Sequence, residues 1–235
     1  MEEGNKICMI NTIKLKQILL KNHKLSLVFA YFYTHLFGLN RMKGKNRNQI
    51  HLKNCFMKNS QIKIKGRNNK IFADNQCVLS RCKINITGDN NKIFIGSRVS
   101  AVDCEIHIED NNNLVWIGMG THISGRTHLA CMEGSKITIG ERCLFSSDIV
   151  FRTGDSHSIL DLQGKRINQS KDIRIEDHVW IGNKTIVTKG AKIAQDSIAA
   201  TGAIVTEKFD EPNVILGGIP AKVIKRGINW DERRI

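Results

Sequence analysis

The run Arg152-Thr153-Gly154-Asp155-Ser156-His157 gathers a cation, a carboxylate, two hydroxyls and an imidazole into a short glycine-containing stretch. A neutral imidazole, with an ordinary pKa of about 6.5, takes a proton from a hydroxyl well near neutral pH. Acyl transfer from a thioester to an alcohol needs such a base. It also needs donors for the developing oxyanion, which main-chain N–H groups on a rigid scaffold can supply. Arg152 and Asp155 are candidates for holding a polar substrate, and Asp155 is equally a candidate for bracing the stretch. His107, His122, His128 and His178 compete with His157 for the role of base.

The elements that must position these residues are written as a repeat. Gly-Arg-Asn-Asn-Lys-Ile-Phe-Ala-Asp at 66–74 returns as Gly-Asp-Asn-Asn-Lys-Ile-Phe-Ile-Gly at 88–96, and Asp74, Gly96, Gly118 and Gly140 fall 22 residues apart. From Ile175 the interval tightens to six: Ile175, Ile181, Val187, Ile193, Ala199 and Val205 head successive hexads. Val179, Thr185, Ala191, Ser197 and Ala203, all small or β-branched, stand four positions later. An inward aliphatic residue every six, with a small residue near each corner, describes a three-sided coil whose parallel strands stack into ladders. The 22-residue period is the same coil with about four extra residues, predicted to be Asn-rich turns at one corner, because Asn tolerates left-handed backbone.

His157 lies where this rhythm breaks. Hexads headed by Ile139, Phe145 and Phe151 run into the polar stretch, and regularity resumes only at Ile173. A long polar excursion from a rigid solenoid is a natural home for function. The competing histidines lie where the register holds.

The same register accounts for most of the seven cysteines. Cys55, Cys77 and Cys143 share one repeat position, and Cys82 and Cys104 share another, which predicts buried thiols stacked in the core. No CxxC pair occurs, and no metal site is expected. An odd cysteine count and no evident secretory signal point to a reducing, cytoplasmic compartment.

Charge is one-sided. Residues 1–70 hold 15 Lys or Arg against Glu2 and Glu3, so nearly all of the formal +14 sits in this third. Such a surface attracts polyanions. A nucleic-acid partner is not expected, since the aromatic residues are not interleaved with the basic ones. The apolar stretch 25–39, flanked by Lys14, Lys16, Lys21 and Lys24 and by Arg41, Lys43, Lys45 and Arg47, is short for a membrane span. It suits either a helix lying on the inner face of the cytoplasmic membrane, through residues 13–47, or a helix packed on a neighbouring subunit.

Three segments resemble a known family. These are Thr153–His157 with Val179-Trp180-Ile181-Gly182 downstream; Ile181-Gly182-Asn183 with the run from Ala200 to Thr206; and the run from Gly217 to Lys225. Together with the hexads they resemble the hexapeptide-repeat acyltransferases, over roughly residues 60–226. The resemblance is greatest to bacterial O-acetyltransferases of capsular or lipopolysaccharide sugars, of the polysialic-acid type. It implies an all-β, left-handed parallel β-helix, a homotrimer with sites between prisms, and acetyl-CoA as cosubstrate. It implies that His157 is the general base in direct transfer and that Trp180 lines the site. Main-chain groups of Asn183, Thr201, Gly202 and Thr206 would meet the pantetheine arm, and Lys222 and Lys225 the nucleotide phosphates. Asn183 departs from the small residue common at its position, and lysines stand where many relatives carry arginine.

The expected organisation is a basic, helical segment at 1–50, a β-helix at 51–210 with a loop at 154–172, and a cofactor-binding tail at 211–235. The expected acceptor is a carbohydrate, a glycan or its precursor. Alternative readings are an N-acetyltransferase of a nucleotide-linked amino sugar, a xenobiotic acetyltransferase and a non-catalytic glycan-binding scaffold. The first is disfavoured because residues 1–50 are too short for a nucleotide-binding domain and no Gly-rich loop follows a strand.

Overall fold

The computed structural model describes residues 28, 30 and 32–235. Three parallel sheets of eight, eight and nine strands form the faces of a left-handed prism. Each turn visits the first, second and third sheet in order, and each corner is named here for the sheets it joins. The hexad residues behave as their spacing requires. Ile62, Ile84, Ile106, Leu129, Phe151, Val187 and Val205 are in register and buried on the first sheet. Ala101, Ile123, Phe145, Ile181, Ala199 and Leu216 do the same on the third. Val179, Thr185, Ala191, Ser197 and Ala203 are buried at the corners.

The four extra residues per turn fall at the first-to-second corner, as expected of the Asn-rich segments. Asn69, Asn91 and Asn113 are fully buried there. The main-chain N–H of each donates to a carboxamide oxygen of the turn before: Asn69 to Asn48 Oδ1, Asn91 to Asn69 Oδ1 and Asn113 to Asn91 Oδ1, each at 2.9 Å. Ser135 N–H continues the ladder to Asn113 Oδ1, and Ser135 Oγ donates to Thr153 Oγ1 at 2.7 Å. The ladder thus ends on Thr153, the base of the long excursion. The excursion is the same corner enlarged.

Both ends of the coil extend past the expected bounds. Strands Arg41–Lys43 and Gln49–Leu52 already pair with the next turn, so the coil begins about ten residues before 51. Among the described residues of the segment expected to be helical, Val28, Ala30 and Phe32 are helical, followed by Tyr33–Phe37 and the short turn Lys45–Arg47. Asn40 and Thr34 tie this segment to the open end of the coil through Met57, Ser60 and Cys55. The cluster Lys14, Lys16, Lys21 and Lys24 lies outside the described residues. At the other end, Val214–Gly218 remains in the third sheet and Ala221–Arg226 pairs antiparallel with it. Cys55, Cys77, Cys82, Cys104, Cys131 and Cys143 are all buried and free. Burial pushes the Cys82 thiol up to about 11 and the Cys143 thiol up to about 12. No helix among the described residues is long and apolar enough to cross a membrane.

Candidate functional site

The excursion leaves the coil after strand Ile149–Arg152 and returns at Ile173–Ile175. It is a folded unit. Its far end is a small hairpin in which Asp161 N–H donates to Lys165 O and Ile167 N–H to Ile159 O. Asn168, 6% exposed, is its hub. Asn168 Nδ2 donates to His157 O and to Asp155 Oδ2, both at 2.8 Å, and Asn168 Oδ1 accepts from Ile159 N–H at 2.8 Å. Lys189 rises from the next turn of the same corner and donates from Nζ to Asp155 Oδ2 and, at 3.1 Å, to Asn168 O. A second anchor joins Arg166 and Ser170 N–H to Glu133. Beneath the take-off point, the Phe145 and Phe151 rings stack at 5.5 Å in the core, so the loop rests on a filled prism.

Within this frame the His157 backbone is pinned, while its exposed imidazole has no hydrogen-bond partner among the described residues. Arg152 donates to Ser156 Oγ at 2.9 Å and stiffens the approach to it. Asp155 is committed to Lys189 and Asn168, whose hydrogen bonds hold its carboxyl below the usual carboxylate range. Of the two roles open to Asp155 in the sequence, bracing is the one this geometry serves. Asn168 and Lys189 were not legible as site residues, because an Asn among polar residues and a Lys in a regular hexad carry no signal of spacing.

Trp180 lies elsewhere. It projects outward from the third sheet, the face opposite the first-to-second corner, and its Nε1 donates to Ser146 Oγ at 3.4 Å. One chain therefore does not bring His157 and Trp180 together. Trp180 instead meets a residue that the sequence did not single out. Trp230 folds back from the tail, stacks on His178 at 4.2 Å and lies 6.1 Å from the Trp180 ring. Trp230 Nε1 donates to His178 O at 2.8 Å, and His178 Nδ1 bonds Asp196 Oδ1 at 2.8 Å. The signal available was only a tryptophan in a polar tail. Of the other histidines, His107 and His128 face each other on the first sheet at 6.3 Å.

The residues expected to hold the cosubstrate are spread over two corners and one face. Asn183, Thr201 and Gly202 stack at the third-to-first corner, where Gly202 N–H donates to Asn183 O at 2.8 Å. A side chain added at Gly202 would meet nothing within 4 Å, so this corner is open. Thr206 follows strand Ile204–Val205 and sits at the first-to-second corner instead. Lys222 pairs with Gly217 and Lys225 with Ile215, because the register shifts by one residue at Ile224. Positions three apart on a regular strand face opposite sides, and the bulge returns both lysines to the outer side. Trp180, Ile198, Ile215 and Lys225 form one outward row, so Trp180 and Lys225 stand roughly 14 Å apart at the usual strand spacing. Among the described residues no group of three or more His, Cys, Asp or Glu side chains converges as metal ligands would.

The fold is a left-handed parallel β-helix of hexads, broken by a braced loop that carries His157. The chain is similar in sequence and structure to hexapeptide-repeat acetyltransferases of the polysialic-acid type. A polysialic acid O-acetyltransferase of Escherichia coli O1:K1 / APEC is 38% identical over 96 residues, 40% of this chain and 31% of that protein. A galactoside O-acetyltransferase of Lactococcus lactis subsp. lactis is 29% identical over 110 residues, 47% of this chain and 52% of that protein. The chain thus spans 31% and 52% of the length of these two curated relatives. Among solved structures, the polySia specific acetyltransferase NeuO superposes with a TM-score of 0.73 at 29% identity, covering 83% of this chain and 85% of that one. The polysialic acid O-acetyltransferase OatWY gives 0.71 at 27% identity, covering 83% and 89%. No family model matches the chain.

Proposed function

We propose that this chain is an acetyl-CoA-dependent O-acetyltransferase that modifies a sugar hydroxyl of a bacterial surface glycan, with His157 as general base. The observation that carries the reading is the free imidazole of His157 on a backbone pinned by Asn168, at the one break in the coil. His157 takes the proton of the acceptor hydroxyl as that oxygen attacks the thioester carbonyl carbon. The carbon–sulfur bond then breaks, and the imidazolium returns the proton to the departing thiolate. No acetyl-enzyme is required.

The open corner at Asn183, Thr201 and Gly202 suits a pantetheine arm, and the paired ammonium groups of Lys222 and Lys225 suit nucleotide phosphates. A site using both His157 and Trp180 takes them from different copies, since they lie on opposite sides of one prism. That supports a homotrimer with sites between subunits. The names of the relatives support a sialic-acid-type acceptor. Leu36, Phe37 and Leu39 are exposed beside Arg41, Lys43, Lys45 and Arg47, which suits peripheral attachment to an acidic membrane. Binding to anionic but not neutral vesicles would check that part.

The central test is mass spectrometry of polysialic acid incubated with labelled acetyl-CoA and either wild type or His157→Ala. Loss of roughly a hundredfold or more in transfer is expected. Near-full activity in the variant overturns the assignment of the base.

A further inference from the structure

The second sheet carries a feature that acetyl transfer does not use. Its outward rows repeat from turn to turn. Phe72, Phe94 and Trp116 are in register, with ring centroids 6.4 and 5.3 Å apart. Two residues before each, a second row reads Lys70, Lys92 and Leu114, and Lys136 follows in the next turn. At the adjoining corner Asn68, Asn90 and Asn112 form a third row, each in the left-handed conformation with φ of 58°, 60° and 62°. Their carboxamides are exposed and make no hydrogen bonds among the described residues. A groove of about 940 Å³ runs along the lysine and asparagine rows, with no Asp or Glu among its lining residues, while Trp116 lies beside it in a recess shared with Glu141, Glu176 and Asp177.

From these rows we infer that the second sheet is a docking strip for a linear acidic glycan, which follows the coil axis toward the loop of His157. Each turn, one strand spacing of about 4.8 Å, presents an aromatic ring, a cation or apolar group, and a free carboxamide. Such a periodic surface fits a periodic ligand. The lysines complement carboxylates, the carboxamides complement hydroxyls, and the rings offer apolar faces to the C–H side of a sugar. The rings lean on one another at 49° and 42° rather than standing apart as slots for stacked bases, which favours a glycan over a nucleic acid. The carboxylates at the same corner are engaged on its other flank: Asp89 with Arg67, Asp110 with Glu133 N–H, and Glu133 with Arg166. The strip also leads somewhere. Lys136 N–H donates to Asp172 Oδ1 at 2.9 Å, at the foot of the loop, so the groove ends where the excursion returns to the coil.

This inference rests on the acceptor being an acidic glycan, and it is tested by binding, separately from transfer. Calorimetry would measure the affinity of the full chain for short and long polysialic acid oligomers, for neutral dextran and for a single-stranded oligonucleotide. Light scattering would give the molar mass of each variant. Long oligomers are expected to bind more tightly than short ones, with the affinity falling as salt rises. Lys70→Glu with Lys92→Glu should weaken the long oligomer on the order of tenfold, both sites being solvated and harmless to folding. Trp116→Ala should weaken it further without changing molar mass. Equal affinity for short and long oligomers, equal affinity for the oligonucleotide, or a drop in molar mass on Trp116→Ala would overturn the strip, the last by showing that another copy covers it. Length-dependent binding without any acetyl transfer by wild type would instead overturn the acyltransferase reading and leave the strip standing.

Discussion

Asn168 Nδ2 donates to the main-chain oxygen of His157 at 2.8 Å, so a buried amide fixes the backbone of the proposed base while its ring stays free. The same nitrogen donates to Asp155, and Lys189 closes the triangle. The loop is held from behind, and the face that would receive an acceptor is left open.

Asn168 is therefore a positioning residue. Asn168→Ala should lower kcat by about a hundredfold, the cost of misplacing a base by roughly 1 Å. KM for acetyl-CoA and the pH at which activity half-rises should stay unchanged, because the imidazole itself is intact. A shift in that pH, or a change confined to KM, would contradict the positioning role.

The bracing of Asp155 has a defined pH window. Hydrogen bonds from Lys189 and Asn168 lower the folded-state pKa of this carboxyl below its unfolded value, near ~3.9. The stabilisation is therefore complete above about pH 4 and is lost as pH falls through the folded value. Hydrogen exchange across 154–172 should be protected alike at about pH 7 and pH 5, once corrected for intrinsic rates, and protection should fail only in stronger acid. Asp155→Asn should loosen the loop throughout. Failure already between pH 7 and 5 would assign the control to a histidine.

Lys222 and Lys225 share a side only through the bulge at Ile224. Deleting Ile224 would remove the bulge and leave the two lysines two positions apart on a regular strand, still on one side. Each of Lys222→Ala and Lys225→Ala should raise KM for acetyl-CoA severalfold, by about 1 kcal/mol. The deletion, which keeps both ammonium groups on that side, should raise it less than Lys225→Ala. Lysine substitutions without effect on KM would separate these residues from the phosphates.

Phe151 stacks on Phe145 beneath the loop and is fully buried. Phe151→Ala should cost about 3–5 kcal/mol in urea unfolding. Leu162→Ala, at a fully exposed hairpin position, should stay within about 0.5 kcal/mol. Comparable losses at both would mean that the hairpin is packed against another copy.

The coil was legible because each turn states its own register: an aliphatic residue every six and a small residue near each corner settle strand, face and stacking locally. Even the extra residues of the 22-residue period pointed to Asn-rich turns, since Asn suits both left-handed backbone and a buried amide ladder. His157 was legible as the residue at the break in that register. What lay beyond the sequence depends on which corner each residue occupies. Only the closed prism puts His157 and Trp180 on opposite sides, sends Lys189 up into the loop and folds Trp230 onto His178. A bulge that absorbs Ile224 keeps Lys225 on the side of Lys222 although three positions separate them. These relations join residues on different turns and faces through side-chain reach, and no local period encodes them. For the proposed base, the sequence determined where the coil must open. The tertiary structure decided how His157 is held there and which residues it can meet.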